Sequence, residues 1–190
     1  MIRLRICGTD IRIHFSFFVF NALIFLFRSS RLILAFYTVC ALHEAGHLAA
    51  LALCGGSVRA AVLSGSGIRI VTRKGGTFPT RSSLFVLLSG PAANIAVYSV
   101  MKLAGCGGIF PLLNLTAAVY NMLPYYSLDG GAVIACLTEG RACERTAALA
   151  VKVIGISITA LSAAAVLCSG ITALPLLIAS AALYAGDIRR

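Results

Sequence analysis

The chain has 190 residues, 59% of them hydrophobic and only 12% charged, with a mean hydropathy of +0.96. Soluble domains sit nearer half apolar and about a quarter charged, so the composition is that of an integral membrane protein, and the length allows a single membrane domain with no room for a sizeable soluble one. The net charge of +10 would suit nucleic acid, but the basic residues flank apolar runs and form no single stripe, which is the pattern of a membrane protein and excludes a nucleic-acid partner. The seven cysteines are scattered with no C-x-x-C pair, and most lie in or beside apolar runs. They read as small hydrophobes, neither a disulfide framework nor a thiolate zinc site.

A spanning helix needs about 20 mainly apolar residues. About ten residues precede the first apolar run, 13–27, which has no convincing cleavage site after it and reads as a retained span. A second run, 32–54, is ended by Gly55-Gly56 in the usual manner of a helix C-terminus. Residues 57–80 alternate around Ser64-Gly65-Ser66-Gly67 and read as a short β-hairpin or sheet at the membrane surface. Its strand edge is expected to pair with an extended substrate.

A third span, 84–103, is interrupted by Gly90-Pro91 and carries Asn94. A fourth starts at 109, breaks over 124–131 and resumes at 132–137; two more follow at 147–168 and 171–186. The expected fold is an all-α polytopic membrane protein of about six transmembrane helices, with the hairpin between the second and third. One domain fills 1–190, with a core of about 11–137, C-terminal helices over about 147–186, and neither a PDZ nor a CBS domain. With six spans, twelve of the sixteen Lys and Arg fall on one side together with both termini, which places the termini in the cytoplasm.

The second span contains His43-Glu44-Ala45-Gly46-His47. Ionisable groups at membrane depth cost a few kcal/mol and mark functional sites. Helical residues four apart share a face, so the two imidazoles can grip one zinc ion, and Glu44 sits where its carboxylate can take a proton from water at that metal. A catalytic zinc has three protein ligands and an open position. His14, the only other histidine, reads as an interfacial polar anchor. Asp129 is the better third ligand: it follows Pro124 and precedes Gly130-Gly131, and irregular backbone at membrane depth must be buried in protein or line a wet cavity. The charge-derived topology puts both motifs in the inner half of their helices.

His43-Glu44-x-x-His47 on one span and Asn121-x-x-Pro124-x-x-x-x-Asp129-Gly130 on another resemble the site-2 protease family of intramembrane zinc metalloproteases. Gly90-Pro91-Ala92-Ala93-Asn94 is similar to that family's Gly-Pro-x-x-Asn element, and Ile11-Arg12-Ile13-His14-Phe15 resembles its sporulation branch, the stage IV processing proteases. The resemblance implies that His43, His47 and Asp129 bind Zn2+ with Glu44 as general base. Asn121 would help position substrate or stabilise the tetrahedral intermediate. It further implies regulated intramembrane proteolysis of a membrane-associated protein, a sporulation pro-sigma factor or a membrane anti-sigma factor, with the missing PDZ insertion favouring the former, and a regulatory membrane protein as a further partner. Two other classes stay open at this point: an inactive zinc-binding scaffold, against which the intact Glu44 speaks, and a metal transporter, against which stands the lack of repeated ligands on a second face.

Overall fold

The structure is a computed structural model that describes residues 2–6, 9–15, 18, 30–64, 67–72 and 79–169, and individually 178, 180, 181, 183, 184 and 187. The chain forms two compact units, residues 1–118 and 119–190.

The first unit holds a four-stranded sheet of β1 (Ile2–Ile6), β2 (Thr9–Ile13), β3 (Val58–Ser64) and β4 (Gly67–Thr72), in that spatial order. The 57–80 hairpin is therefore present as β3 and β4, but it is half of a larger sheet. The first two strands come from Ile2-Arg3-Leu4-Arg5-Ile6 and Ile11-Arg12-Ile13, whose period-2 alternation suits a two-faced strand. Their antiparallel register sets Ile2 opposite Ile13 and Leu4 opposite Ile11 on one face, Arg3 opposite Arg12 and Arg5 opposite Asp10 on the other. β2 then pairs in parallel with β3, Ile11 beside Ala61 and Ile13 beside Leu63. A parallel pair needs a long crossover, and the connection over residues 14–57 contains a membrane-length helix.

Two expectations change here. Ile13 and His14 do not begin a spanning helix: Ile13 closes β2, and the His14 N–H donates to the carbonyl of Leu63 at 2.9 Å, continuing the ladder. β3 lies between β2 and β4, so the edges of the sheet are β1 and β4, and a strand-adding partner has no access to 58–64.

Helices α1 (Ser30–Leu53) and α2 (Thr80–Leu103) have 24 residues each, about 36 Å at 1.5 Å per residue, against a hydrocarbon core of about 30 Å. Both end in a left-handed glycine, Gly55 (φ 72°) and Gly105 (φ 70°). In each case the next N–H reaches back five residues, Gly56 to Leu51 at 2.9 Å and Cys106 to Met101 at 2.8 Å, the Schellman arrangement that satisfies the last carbonyls. Both helices are largely apolar, and residues such as Leu53 (80% exposed) and Leu103 (89%) are left uncovered by protein. Such a surface suits a lipid environment. Pro91 does not interrupt the third run: α2 continues through it, although the proline removes the donor that Leu87 O would receive in a regular helix.

α1 and α2 approach closely at two glycines. A Cβ on Gly46 would lie 2.6 Å from the carbonyl oxygen of Ser89 and 2.9 Å from Cβ of Ala93, and a Cβ on Gly90 would collide with the His47 imidazole. Without a hydrophobic drive between helices in lipid, close packing of small residues is what associates them.

The straddling helix α3 (Ile109–Asn121), then α4 (Asp129–Thr138) and α5 (Glu144–Ser169), complete the described elements. Among the described residues three helices are long and apolar enough to cross a bilayer, over Arg31–Leu53, Thr80–Leu103 and Glu144–Cys168. α3 and α4, with 13 and 10 residues, rise only about 20 and 15 Å. They correspond to the expected fourth run on either side of its break. The rest of the expected first span and the expected sixth lie outside the described residues, apart from a few isolated positions.

Replacing Gly46 by Ala gains about 1 kcal/mol of helix propensity but drives a methyl into a backbone carbonyl, which cannot swing away. Gly46→Ala is expected to be destabilising by about 1–3 kcal/mol. Gly107→Ala, which meets nothing within 4 Å, should stay within about 0.5 kcal/mol of wild type. Thermal unfolding of the two variants in detergent separates the outcomes.

Candidate metal centre

His43 and His47 project from one face of α1, a turn apart, and α2 fixes both rings. Nδ1 of His47 lies 2.7 Å from the carbonyl oxygen of Val86. A carbonyl only accepts, so His47 carries its proton on Nδ1. Nδ1 of His43 lies 3.2 Å from Oδ1 of Asn94. The Asn94 amide donates through Nδ2 to the carbonyl of Val39 (3.5 Å) and to Oδ1 of Asn114 (3.3 Å), which leaves Oδ1 as the acceptor and assigns the His43 proton to Nδ1 as well. In the neutral form, a ring protonated on Nδ1 presents its lone pair on Nε2.

Those two Nε2 atoms lie 3.2 Å apart, the ring planes crossing at 85°. A proton or a metal ion held between them would satisfy both nitrogens. Two imidazole nitrogens on one tetrahedral zinc, each about 2.0–2.1 Å from it, stand about 3.3 Å apart. The pair therefore fits a shared zinc ion. Metal-binding histidines characteristically donate their second N–H to a carbonyl or carboxamide oxygen, which fixes tautomer and ring orientation; Val86 and Asn94 do this here.

The network extends one residue beyond those that the sequence motifs mark. Asn94 and Asn114 are both 0% exposed, and Nδ2 of Asn114 donates to the carbonyl of Phe110 at 3.0 Å. A chain of amides thus runs from Phe110 through Asn114 and Asn94 to His43. The sequence singled out Asn94, and Asn114 was missed. Its signal was a lone amide in the middle of the apolar stretch 109–120, which at membrane depth demands a partner.

Glu44, half-buried, follows His43 on α1, about 100° around the helix. His14 stands at the end of β2 in backbone pairing with β3. Asp129 and Asn121 belong to the second unit, at either end of the loop 122–128. Asn121 closes α3 and is half-buried. Asp129 is the first residue of α4 and half-buried, and a helix N-terminus stabilises a carboxylate there. The loop lies directly over the first turn of α4. A Cβ on Gly130 would fall on the carbonyl of Met122, and one on Gly131 on that of Tyr125. Only glycine admits that approach, which explains the Asp-Gly-Gly sequence at this point.

No protein-family model matches the chain, and no curated protein matches it significantly. Among solved structures it is similar to the site-2 protease from Methanocaldococcus jannaschii, with a TM-score of 0.70 and 22% identity, over 99% of this chain and 94% of that one. The chain has that protease's fold.

Loss of the Asn94 acceptor frees the His43 ring to rotate and to change tautomer. Asn94→Ala is expected to weaken metal binding about 10- to 100-fold, and Asn114→Ala less, because Asn94 keeps its bond to Val39. Competition titration against a chromophoric chelator measures both; unchanged affinity in Asn94→Ala would show that the ring is held by other contacts.

Proposed function

We propose that this chain is an intramembrane zinc endopeptidase in which His43, His47 and Asp129 hold the metal and Glu44 is the general base. The observation that carries the reading is the pair of imidazoles on a membrane-length helix, each tied at Nδ1 and meeting at Nε2. The three side chains offer one ligand atom apiece, two ring nitrogens and a carboxylate oxygen. Two histidines and one carboxylate with an open position is a donor set of catalytic zinc sites. The fold shared with a site-2 protease supports the same assignment.

Bound zinc supplies Lewis acidity, polarising a peptide carbonyl and lowering the pKa of water toward neutrality. Glu44 accepts a proton from the attacking water and passes it to the amide nitrogen as the C–N bond breaks, so one water is consumed and a new carboxyl and amine result. The carboxamide of Asn121 is suited to donate to the carbonyl oxygen as charge develops on it. Asn94 and Val86 keep the imidazoles in the tautomer that presents Nε2.

The substrate on this reading is a membrane-associated protein, a sporulation pro-sigma factor ahead of an anti-sigma factor, cut near the cytoplasmic half of its membrane segment. A helical substrate must unwind before its carbonyls can react, and the edge strand β4 offers backbone groups to an extended segment. The chain crosses the membrane six times with both termini cytoplasmic, the α3–α4 region forming one broken crossing, and its regulation involves a second membrane protein.

Glu44→Gln is expected to retain zinc and lose about 10²- to 10⁴-fold in cleavage of a co-expressed membrane-anchored pro-sigma substrate, whereas Asp129→Ala is expected to lose the metal as well. Zinc content and product are measured on the same preparations. Undiminished cleavage by Glu44→Gln would contradict the role of Glu44, and full zinc retention by Asp129→Ala would remove it from the ligand set.

A further inference from the structure

Asp187 is 8% exposed, and its carboxylate is aimed at the loop that leads into α4. Oδ2 accepts from the N–H of Tyr126 at 2.9 Å, while Oδ1 accepts from the N–H of Ser127 at 2.9 Å and from the Ser127 hydroxyl at 3.1 Å. Two successive amides and a hydroxyl thus converge on one anion, the concave arrangement in which backbone dipoles hold negative charge. Burying a carboxylate is costly unless its hydrogen bonds are made. Here they fall on two adjacent residues of one loop.

That loop delivers the backbone to the proposed third ligand, for Leu128 alone separates Ser127 from Asp129. Leu128 is extended (φ −115°, ψ 166°) and caps α4 without a side-chain hydrogen bond. Its own N–H donates to the carbonyl of Tyr125 at 2.9 Å, and its carbonyl accepts the first α4 bond, from Ala132, at 3.1 Å. Tyr125, 1% exposed, anchors the other side of the turn, its hydroxyl donating to the carbonyl of Gly155 at 3.4 Å. The backbone entering Asp129 is therefore held at Tyr125 by α5 and at Tyr126 and Ser127 by Asp187.

We infer that Asp187 is a positioning residue for Asp129, setting the geometry in which Asp129 is offered as a ligand; this rests on the reading of Asp129 as the third ligand. A carboxylate is needed for the purpose. An asparagine presents one acceptor oxygen, and its NH2 would face the Tyr126 N–H donor against donor. A simple tether would need one bond, whereas this contact fixes two consecutive peptide planes immediately before the proposed ligand.

The test is a cobalt(II) titration of the full chain in detergent, followed by visible absorption, whose bands report both affinity and ligand geometry. Wild type is compared with Asp187→Ala, Asp187→Asn and Asp187→Glu, with thermal unfolding measured on each. Asp187→Asn keeps the side-chain volume and the Ser127 bonds and serves if Asp187→Ala does not fold. The expected result is an affinity about tenfold lower in Asp187→Asn and lower still in Asp187→Ala, with shifted bands and partial recovery in Asp187→Glu, which restores both oxygens. If the variants melt earlier but bind cobalt with wild-type affinity and spectrum, Asp187 is only a structural anchor and the inference is overturned. If wild type itself binds no cobalt, the metal-site reading fails and the positioning role falls with it.

Discussion

Two hydrogen bonds between α1 and α2, from His47 to the Val86 carbonyl and from His43 to Asn94, determine what the first unit can do. Each fixes the proton on one imidazole nitrogen, Nδ1. A histidine in water exchanges tautomers and partners freely, but one facing a carbonyl or an amide oxygen in an apolar surrounding has a single state of low energy. With both Nδ1 atoms occupied as donors, the lone pairs have nowhere to point but toward each other, at 3.2 Å. A proton or a metal ion between the two nitrogens satisfies that arrangement. The helix pair therefore brings together two ring nitrogens that could share a metal ion.

Close approach of the two helices is a precondition for those bonds. Gly46 faces the Ser89 carbonyl, and Gly90 lies against the ring of His47, so small residues bring the backbone of α2 within reach of imidazoles rooted on α1. The same α2 segment supplies the Val86 carbonyl, the glycine and, one turn on, Asn94. Packing and ligand orientation are thus one feature of the fold, and a change at Gly46 reaches the histidines without touching them.

The histidine motif and the helix ends were legible because each is written in local sequence: i, i+4 spacing on an apolar run, and glycine just past the last turn. The break over 124–131 was legible for the same reason, since Pro124 and Gly130-Gly131 are local signals. Structures that depend on distant partners were not. β1 and β2 alternate over only five residues each, and β2 becomes part of a larger sheet by pairing Asp10 with Ala60, across the length of α1. Asn114 looks ordinary until Asn94, twenty positions earlier, is beside it. Pro91 was read as an interruption, yet the missing donor does not end α2, which packs against α1 on both sides of it. Nothing in the neighbourhood of Asp187 distinguishes it from a surface acid; its partners lie sixty residues away.

The most direct measurement is zinc K-edge X-ray absorption on the full chain loaded with one equivalent of zinc. The account predicts a four-coordinate site with two imidazole nitrogens at about 2.0–2.1 Å, completed by oxygen at about 2.0–2.2 Å. Imidazole multiple scattering should fall from that of two rings to at most that of one in His43→Ala. A shell of sulfur at about 2.3 Å, placing zinc on cysteines such as Cys40 or Cys136, or an all-oxygen site without imidazole, would contradict it.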